Sequence, residues 1–202
     1  MTALNATRPT VRVARVSRTL MTTLIQLAYL NLLWTAFSLV GLGVAGVFPA
    51  TAAAAGVLRR QVVNGEPVST FTEFRSIYRA QFVRANALGW MHLVVGGVLV
   101  ADVLFLQMGT VDAPFILRFI AGAILWLYVS YLLVLVPTYV SGNYDSRGVV
   151  RRTVLSVLER PLSVLGVLGA TAAAVIFLGL LPALIPIIAV SLTLYIPLRV
   201  FR

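Results

Sequence analysis

The sequence predicts an all-α fold, a polytopic bundle of transmembrane helices with two basic amphipathic helices at the membrane surface. Three observations carry that expectation. Apolar residues make up 60% of the 202-residue chain, where a soluble domain has roughly 45–50%. The charged residues, 16 basic and 6 acidic, are too few to cover a soluble surface. They are also confined to short stretches between long uncharged runs, the pattern of helices that cross a bilayer. The pattern continues from end to end, so residues 1–202 read as a single integral membrane domain.

Residues 1–18 form a basic N-terminus carrying Arg8, Arg12, Arg15 and Arg18. The 40 positions from Thr19 to Leu58 hold no charge, enough for a helical hairpin because one span needs about 20 residues. Gly41, Gly43 and Gly46 permit the reversal, giving membrane segments near 19–40 and 44–63. Pro49 suits the opening turn of the second. That segment is short for a full crossing and is expected to be tilted or re-entrant. The uncharged run far exceeds the about 7–15 apolar residues of a signal peptide, so Ala52, Ala53 and Ala54 are not read as a cleavage site.

Asn64-Gly65-Glu66-Pro67 is a turn cluster, and Thr70-x-x-Glu73 fits a capping box. Phe71, Phe74, Ile77, Tyr78 and Phe82 recur at helical spacing, with Glu73, Arg75, Arg79 and Arg84 on other faces. They predict an interfacial helix near 70–84 whose aromatic face lies against the bilayer. Spans near 86–107 and 118–140 follow, joined by a loop from Gly109 to Pro114 that carries Asp112. After a break at Gly142-Asn143-Tyr144-Asp145, the stripe Val150, Val154, Val157 and Leu158 is flanked by Arg147, Arg151, Arg152 and Arg160. It predicts a second interfacial helix near 148–160. The uncharged run after Arg160 divides at Leu181-Pro182-Ala183 into spans near 161–180 and 183–200. Pro186 and Pro197 are tolerated there because neighbouring helices re-satisfy the freed backbone groups. Six membrane segments result. The order of basic helix, span, short loop and returning span occurs twice, from about 70 and about 148, in the manner of internal repeats.

Charge fixes the expected orientation. With both termini cytoplasmic, every arginine except Arg118 falls on the inner side, as the positive-inside rule requires. The expected location is a bacterial-type cytoplasmic membrane, because an arginine-only, Ala- and Val-rich chain suits a GC-rich bacterial genome. The net charge of +10 then implies contact with anionic lipid headgroups. Nucleic acid is excluded as a partner because no polar basic domain exists to bind it.

Catalytic chemistry is sparse. The absence of cysteine excludes disulfides, thiol catalysis and cysteine-built metal sites. His92 lies in the third span, with no carboxylate or nucleophile near it in sequence. It is expected to pack between helices or to bond a backbone carbonyl. Asp102 is the sole acid inside a predicted span and so a candidate for function. Its place one turn from the outer end also lets it reach headgroups or water. About 15 Å of helix separates it from His92, too far for a direct pair. Asn31 is expected to hydrogen-bond across helices, and Ala50, Ala54, Gly166, Ala170 and Ala174 have helix-contact spacing. No phosphate-binding loop, zincin pattern or nucleophile elbow occurs. Neither enzymatic activity, cofactor nor metal site is expected.

The run Tyr29-Leu30-Asn31-Leu32-Leu33-Trp34, then Gly46-Val47-Phe48-Pro49-Ala50-Thr51-Ala52, resembles the N-terminal signature of the YesL-like bacterial integral membrane proteins, a family defined by a domain of unknown function. Gly65-Glu66 followed by Phe71, Phe74, Tyr78, Phe82 and Asn86 is similar to its continuation. The stretch from Arg152 to Pro161 resembles its second basic helix more loosely. The resemblance implies a small multi-pass protein encoded beside carbohydrate-uptake ABC transporters and polysaccharide-degrading enzymes. It transfers no catalytic residue. Two functions stay open: a non-enzymatic accessory component that meets ABC permease subunits, and a small autonomous transporter or channel, which a homo-oligomer could build from one Asp102 per subunit.

Overall fold

Proline and glycine placement decides where this apolar chain can bend, and the helices follow it. In the computed structural model, residues 7–66, 68–108, 113–141, 145–180 and 185–201 are described, with their side chains outside 7–20, 62–63, 146, 177–178 and 185–188. Among the described residues every regular element is helical. Helix α1 (Thr7–Val40) turns at Gly41–Gly43 into α2 (Val44–Leu58), which continues as a π-helical turn, Arg59–Val63. Then come α3 (Thr70–Gln107), α4 (Phe115–Ser141), α5 (Ser146–Glu159), α6 (Pro161–Leu180) and α7 (Ile185–Val200). The expected loop at Asp112, the break at 142–144 and the turn at Leu181-Pro182-Ala183 lie outside the described residues.

By length and composition of the described residues, three helices can cross a membrane: α1 from Met21, α3 and α4. A fourth crossing results if α5 and α6, bent by 97° at Arg160, form one span. Several apolar helices of this kind are consistent with a membrane protein. Helix α2 has 15 residues, about 22 Å of helix against a hydrocarbon core of about 30 Å.

Two boundaries differ from the sequence reading. The expected interfacial helix near 70–84 and the span near 86–107 are one helix, α3, of 38 residues, or about 57 Å. Ala85-Asn86-Ala87 contains neither Pro nor Gly, so nothing stops the helix there. Before Pro161 the residue Arg160 is forced out of helical geometry, at φ −133° and ψ 57°, because the proline ring crowds it. Proline then opens α6 at the position where its missing N–H costs nothing. The two halves of the suspected repeat therefore differ: α5 breaks from its span and the start of α3 does not. Likewise α1 begins at Thr7, so the basic N-terminus is helical from there on.

The core lies around α2. Ala50, Ala53, Ala54, Ala55, Val57 and Leu58 are buried against Leu27, Leu30 and Leu33 of α1, Phe74 and Tyr78 of α3, and Leu194 and Leu198 of α7. Small side chains let three helices close on a fourth. A Cβ at Gly46 would collide with the Ser38 carbonyl of α1, and one at Gly89 with the Phe48 ring. The aromatic face of α3 thus packs inward through Phe74, fully buried, and Tyr78, while Phe71 at its start stays exposed. The ring of Phe37 on α1 gathers those of Phe71, Phe74 and Tyr78 at centroid distances of 5.0–6.2 Å. Aromatic pairs of this kind contribute about 0.5–1.5 kcal/mol beyond their buried area.

Gly46→Ala should destabilise the chain by about 1–3 kcal/mol through overpacking. Gly97→Ala, with nothing within 4 Å of its added carbon, should not lower stability. Thermal unfolding of the two purified variants in detergent, side by side, checks both expectations. Equal melting temperatures would contradict the close α1–α2 contact.

Candidate functional site

Hydroxyls and amides in an apolar bundle must find partners locally, and here most do so one turn back along their own helix. Thr35, Thr51, Ser130, Thr138 and Thr153 each donate to the carbonyl four residues earlier. That leaves a few side chains to tie helices together. Trp34 Nε1 donates to Thr51 Oγ1 at 3.0 Å, joining α1 to α2. Asn31 Oδ1 accepts from the Val190 backbone N–H at 3.2 Å, joining α1 to α7. Tyr78 Oη donates to the Phe37 carbonyl at 3.1 Å, joining α3 to α1.

Between α2, α3 and α4 these helices enclose a cavity of about 650 Å³. Its walls are mostly apolar, with Phe48, Ala52, Leu88, Leu125 and Leu132 among them, and Leu93, Val100 and Val129 exposed at its side. Thr51, His92, Tyr128 and Tyr139 supply the polar groups. His92 is buried, with Nδ1 2.7 Å from the Leu88 carbonyl and Nε2 2.9 Å from Tyr131 Oη. A carbonyl only accepts, so Nδ1 carries the hydrogen and Nε2 accepts from Tyr131. Tyr128 Oη donates to the His92 carbonyl at 2.7 Å. The imidazole is held by α3 and α4 together, and both of its ring nitrogens are occupied.

Two arginines lie next to the lining residue Tyr139 and its neighbour Val140. Gln81 Oε1 accepts from Tyr139 Oη at 2.6 Å, and the Arg84 guanidinium lies over the Tyr139 ring, 5.1 Å from its centroid. From α2, Arg59 donates to the Val140 carbonyl at 2.7 Å. A cation on the last carbonyls of α4 is favoured by the helix dipole.

Asp102 is elsewhere. It is exposed on α3 and borders a second cavity of about 270 Å³ with Leu99, Phe105, Leu117 and Ile120. The structure therefore does not bring His92 and Asp102 together.

The remaining motif residues build the connection from α2 to α3. Gly65 has φ +73°, a conformation that side chains other than glycine rarely take. Glu66 returns its backbone N–H to the Arg60 carbonyl at 2.8 Å. Its carboxylate accepts from Arg60 Nε at 2.8 Å and Asn64 Nδ2 at 3.0 Å. Arg60 also pairs with Glu73. The expected capping box is therefore absent: Ser69 is the N-cap, without a side-chain cap bond. Glu73 is taken by a cation instead, a stronger partner for a carboxylate than a neutral N–H. The Thr70 hydroxyl accepts from Gln61 Nε2 at 2.8 Å. Phe82 packs edge-on to Tyr78, and Asn86 Nδ2 donates to the Phe82 carbonyl. Pro49 is buried within α2.

Sequence reasoning missed Tyr128, Tyr131, Tyr139, Gln81, and the site roles of Arg59 and Arg84. The tyrosines do recur on one stripe of α4, a signal that was available. Their partners on α3 could not be read without the helix pairing.

The chain matches the family model described as "Protein of unknown function, DUF624" over residues 27–103. That stretch runs from α1 to α3 and contains all the motif residues named above. It is 31% identical to "Uncharacterized protein YteU" of Bacillus subtilis (strain 168), over 88% of this chain and 79% of that protein. Two further relatives from the same organism are similar. One is "Uncharacterized protein YesV", 28% identical over 80% of this chain and 78% of that protein. The other is "Uncharacterized protein YesL", 31% identical over 67% of this chain and 61% of that protein. No solved structure matches the chain.

The Glu66 carboxyl is held below the ordinary carboxylate range by its hydrogen bonds from Arg60 and Asn64. A depressed acid contributes stability above its unfolded value and loses it as pH falls through the lower folded value. Below about pH 4.5, therefore, the α2–α3 connection should weaken, and Glu66→Gln should flatten that part of the stability profile. Melting curves of the two proteins from pH 7 down to pH 3 check this; parallel profiles would contradict it.

Proposed function

The chain belongs to the YesL-like DUF624 family, and from that premise we propose that it is a non-enzymatic accessory component of carbohydrate uptake by an ABC transporter. It resides in the cytoplasmic membrane with six membrane segments and both termini cytoplasmic. The observation that carries the reading is α5. Asp145 caps it by accepting from the Gly148 N–H at 2.9 Å, and Val149 and Thr153 seat it inward. Arg147, Arg151, Arg152 and Arg160 remain exposed, beside Val154 and Leu158, the latter 71% exposed. A 97° bend separates this helix from α6. With α6 crossing the bilayer, α5 lies in the plane of the cytoplasmic surface, where its arginines meet anionic headgroups or a permease subunit.

An autonomous transporter is the second reading, favoured by the 650 Å³ cavity. Gly97→Leu, which intrudes on that cavity, with unchanged solute flux would count against it.

Affinity recovery of the tagged chain from native membranes in mild detergent should bring ABC permease subunits with it. Reversing Arg151 and Arg152 to Glu should cut that recovery about tenfold or more, the effect of like charges at an interface. Recovery of the chain alone, or only as its own oligomer, would reject the accessory reading.

A further inference from the structure

The lining residue Tyr139 links the cavity to two cations: the Arg84 guanidinium lies over its ring, and Arg59 donates to the carbonyl of the next residue, Val140. Phe48, Ala52 and Arg59 share a stripe of α2 at i, i+4 and i+11. Arg84 lies four residues before the lining residue Leu88 on α3, and Gln81 four before Ala85. Tyr139 closes the set from α4. Three helices thus set two guanidinium groups beside neighbouring residues of α4, Tyr139 and Val140, the first of which lines the chamber.

We infer that this site holds one anionic phospholipid, with an acyl chain in the chamber between α2, α3 and α4 and the headgroup phosphate at Arg59 and Arg84. The volume, about 650 Å³, lies within the range of about 300–1,000 Å³ common to ligand pockets. The exposed Leu93, Val100 and Val129 leave the chamber open on the side that a bilayer's hydrocarbon would touch. A second protein helix could enter from there, but it would not need the cations. A headgroup phosphate does, because guanidinium forks bind it in two-point geometry. Arg59 commits one Nη to the Val140 carbonyl and carries further N–H donors. Arg84 is oriented by the Tyr139 ring, which Gln81 in turn holds by its hydroxyl. Basic pockets between membrane helices on the cytoplasmic side recognise anionic headgroups in this way. The inference stands apart from the accessory role, which concerns α5.

Native mass spectrometry of the purified full chain, given equimolar dioleoylphosphatidylglycerol and dioleoylphosphatidylcholine, tests it. The chain should retain one phosphatidylglycerol in preference to phosphatidylcholine. Arg59→Gln and Arg84→Gln should each weaken that retention about fivefold, the effect of a single basic residue near an anionic surface. Arg84→Lys, which keeps the charge and loses the fork, should fall between the unchanged chain and Arg84→Gln. Gly97→Leu should lower retention of both lipids, because Gly97 lines the chamber and has open space around an added carbon. Arg199→Gln, exposed on α7, should leave the retained lipid in place. If Arg59→Gln fails to fold, Arg84→Gln and Gly97→Leu carry the test. Equal retention of the two lipids would overturn the proposal. So would unchanged retention in Arg84→Gln and Gly97→Leu, equal loss in Arg199→Gln, or a lipid-free dimer.

Discussion

The close approach of α1 to α2 is the contact on which the rest of the fold depends. In a surrounding of acyl chains, burying an apolar side chain gains little, because lipid is as apolar as leucine. Helices then associate through van der Waals fit, and fit is best where backbones come near. The run Ala52-Ala53-Ala54-Ala55-Gly56, together with Gly46, provides that surface on nearly every side of α2. The larger residues belong to the helices around it: leucines of α1 and α7, Phe74 and Tyr78 of α3. A short helix at the centre is therefore compatible with longer ones outside. Its job is to be narrow.

Polar groups obey a second constraint, that none can rely on water in such an interior. Most hydroxyls solve it by bonding back along their own helix, which costs nothing in packing. Trp34 to Thr51, Asn31 to Val190 and Tyr78 to Phe37 instead cross between helices. These are directional contacts on top of non-directional packing. They set register: a slip of one residue in α1 against α2 would strand the indole N–H in an apolar site, at a cost of about 1–3 kcal/mol. The family signature can be understood on that basis. Asn31, Trp34, Phe48, Thr51, Gly65, Glu66, Phe74 and Tyr78 mostly join α1, α2 and α3 into one unit.

Local features were legible in the sequence, and distant partnerships were not. The limits of α6 at 161–180, and of α2 with its π-helical turn at 44–63, follow from charges, prolines and glycines at their ends, which are local facts. The inward turn of the α3 aromatic face depends on Phe37, more than 30 residues earlier. The loss of the capping box depends on Arg60, 13 residues before Glu73. Periodicity shows that a face exists and not what covers it. For the same reason the cavity escaped notice: its lining is drawn from three helices whose pairing no single stretch encodes. His92, read alone, shows one ring nitrogen's partner at most; the other belongs to α4.

Arg59 shows how fold and ligand recognition can share a residue. At the end of α4 its charge is favoured by the helix dipole whether or not anything else binds. Pro137, inside α4, has no N–H to give the preceding turn, and Ser141 Oγ reaches back to the Pro137 carbonyl. The last four carbonyls of α4 find no N–H further along the helix, and Arg59 supplies one of them with a donor from α2. Having been placed there for structural reasons, the guanidinium still carries a full charge and unspent donors. A cation fixed by a backbone carbonyl loses little further conformational freedom on meeting a phosphate, so less of the attraction is lost to ordering. Arg84, held over the Tyr139 ring, is restricted in the same sense. The rigidity that closes the α2–α4 contact is therefore the same rigidity that an anion at this end of the cavity would meet.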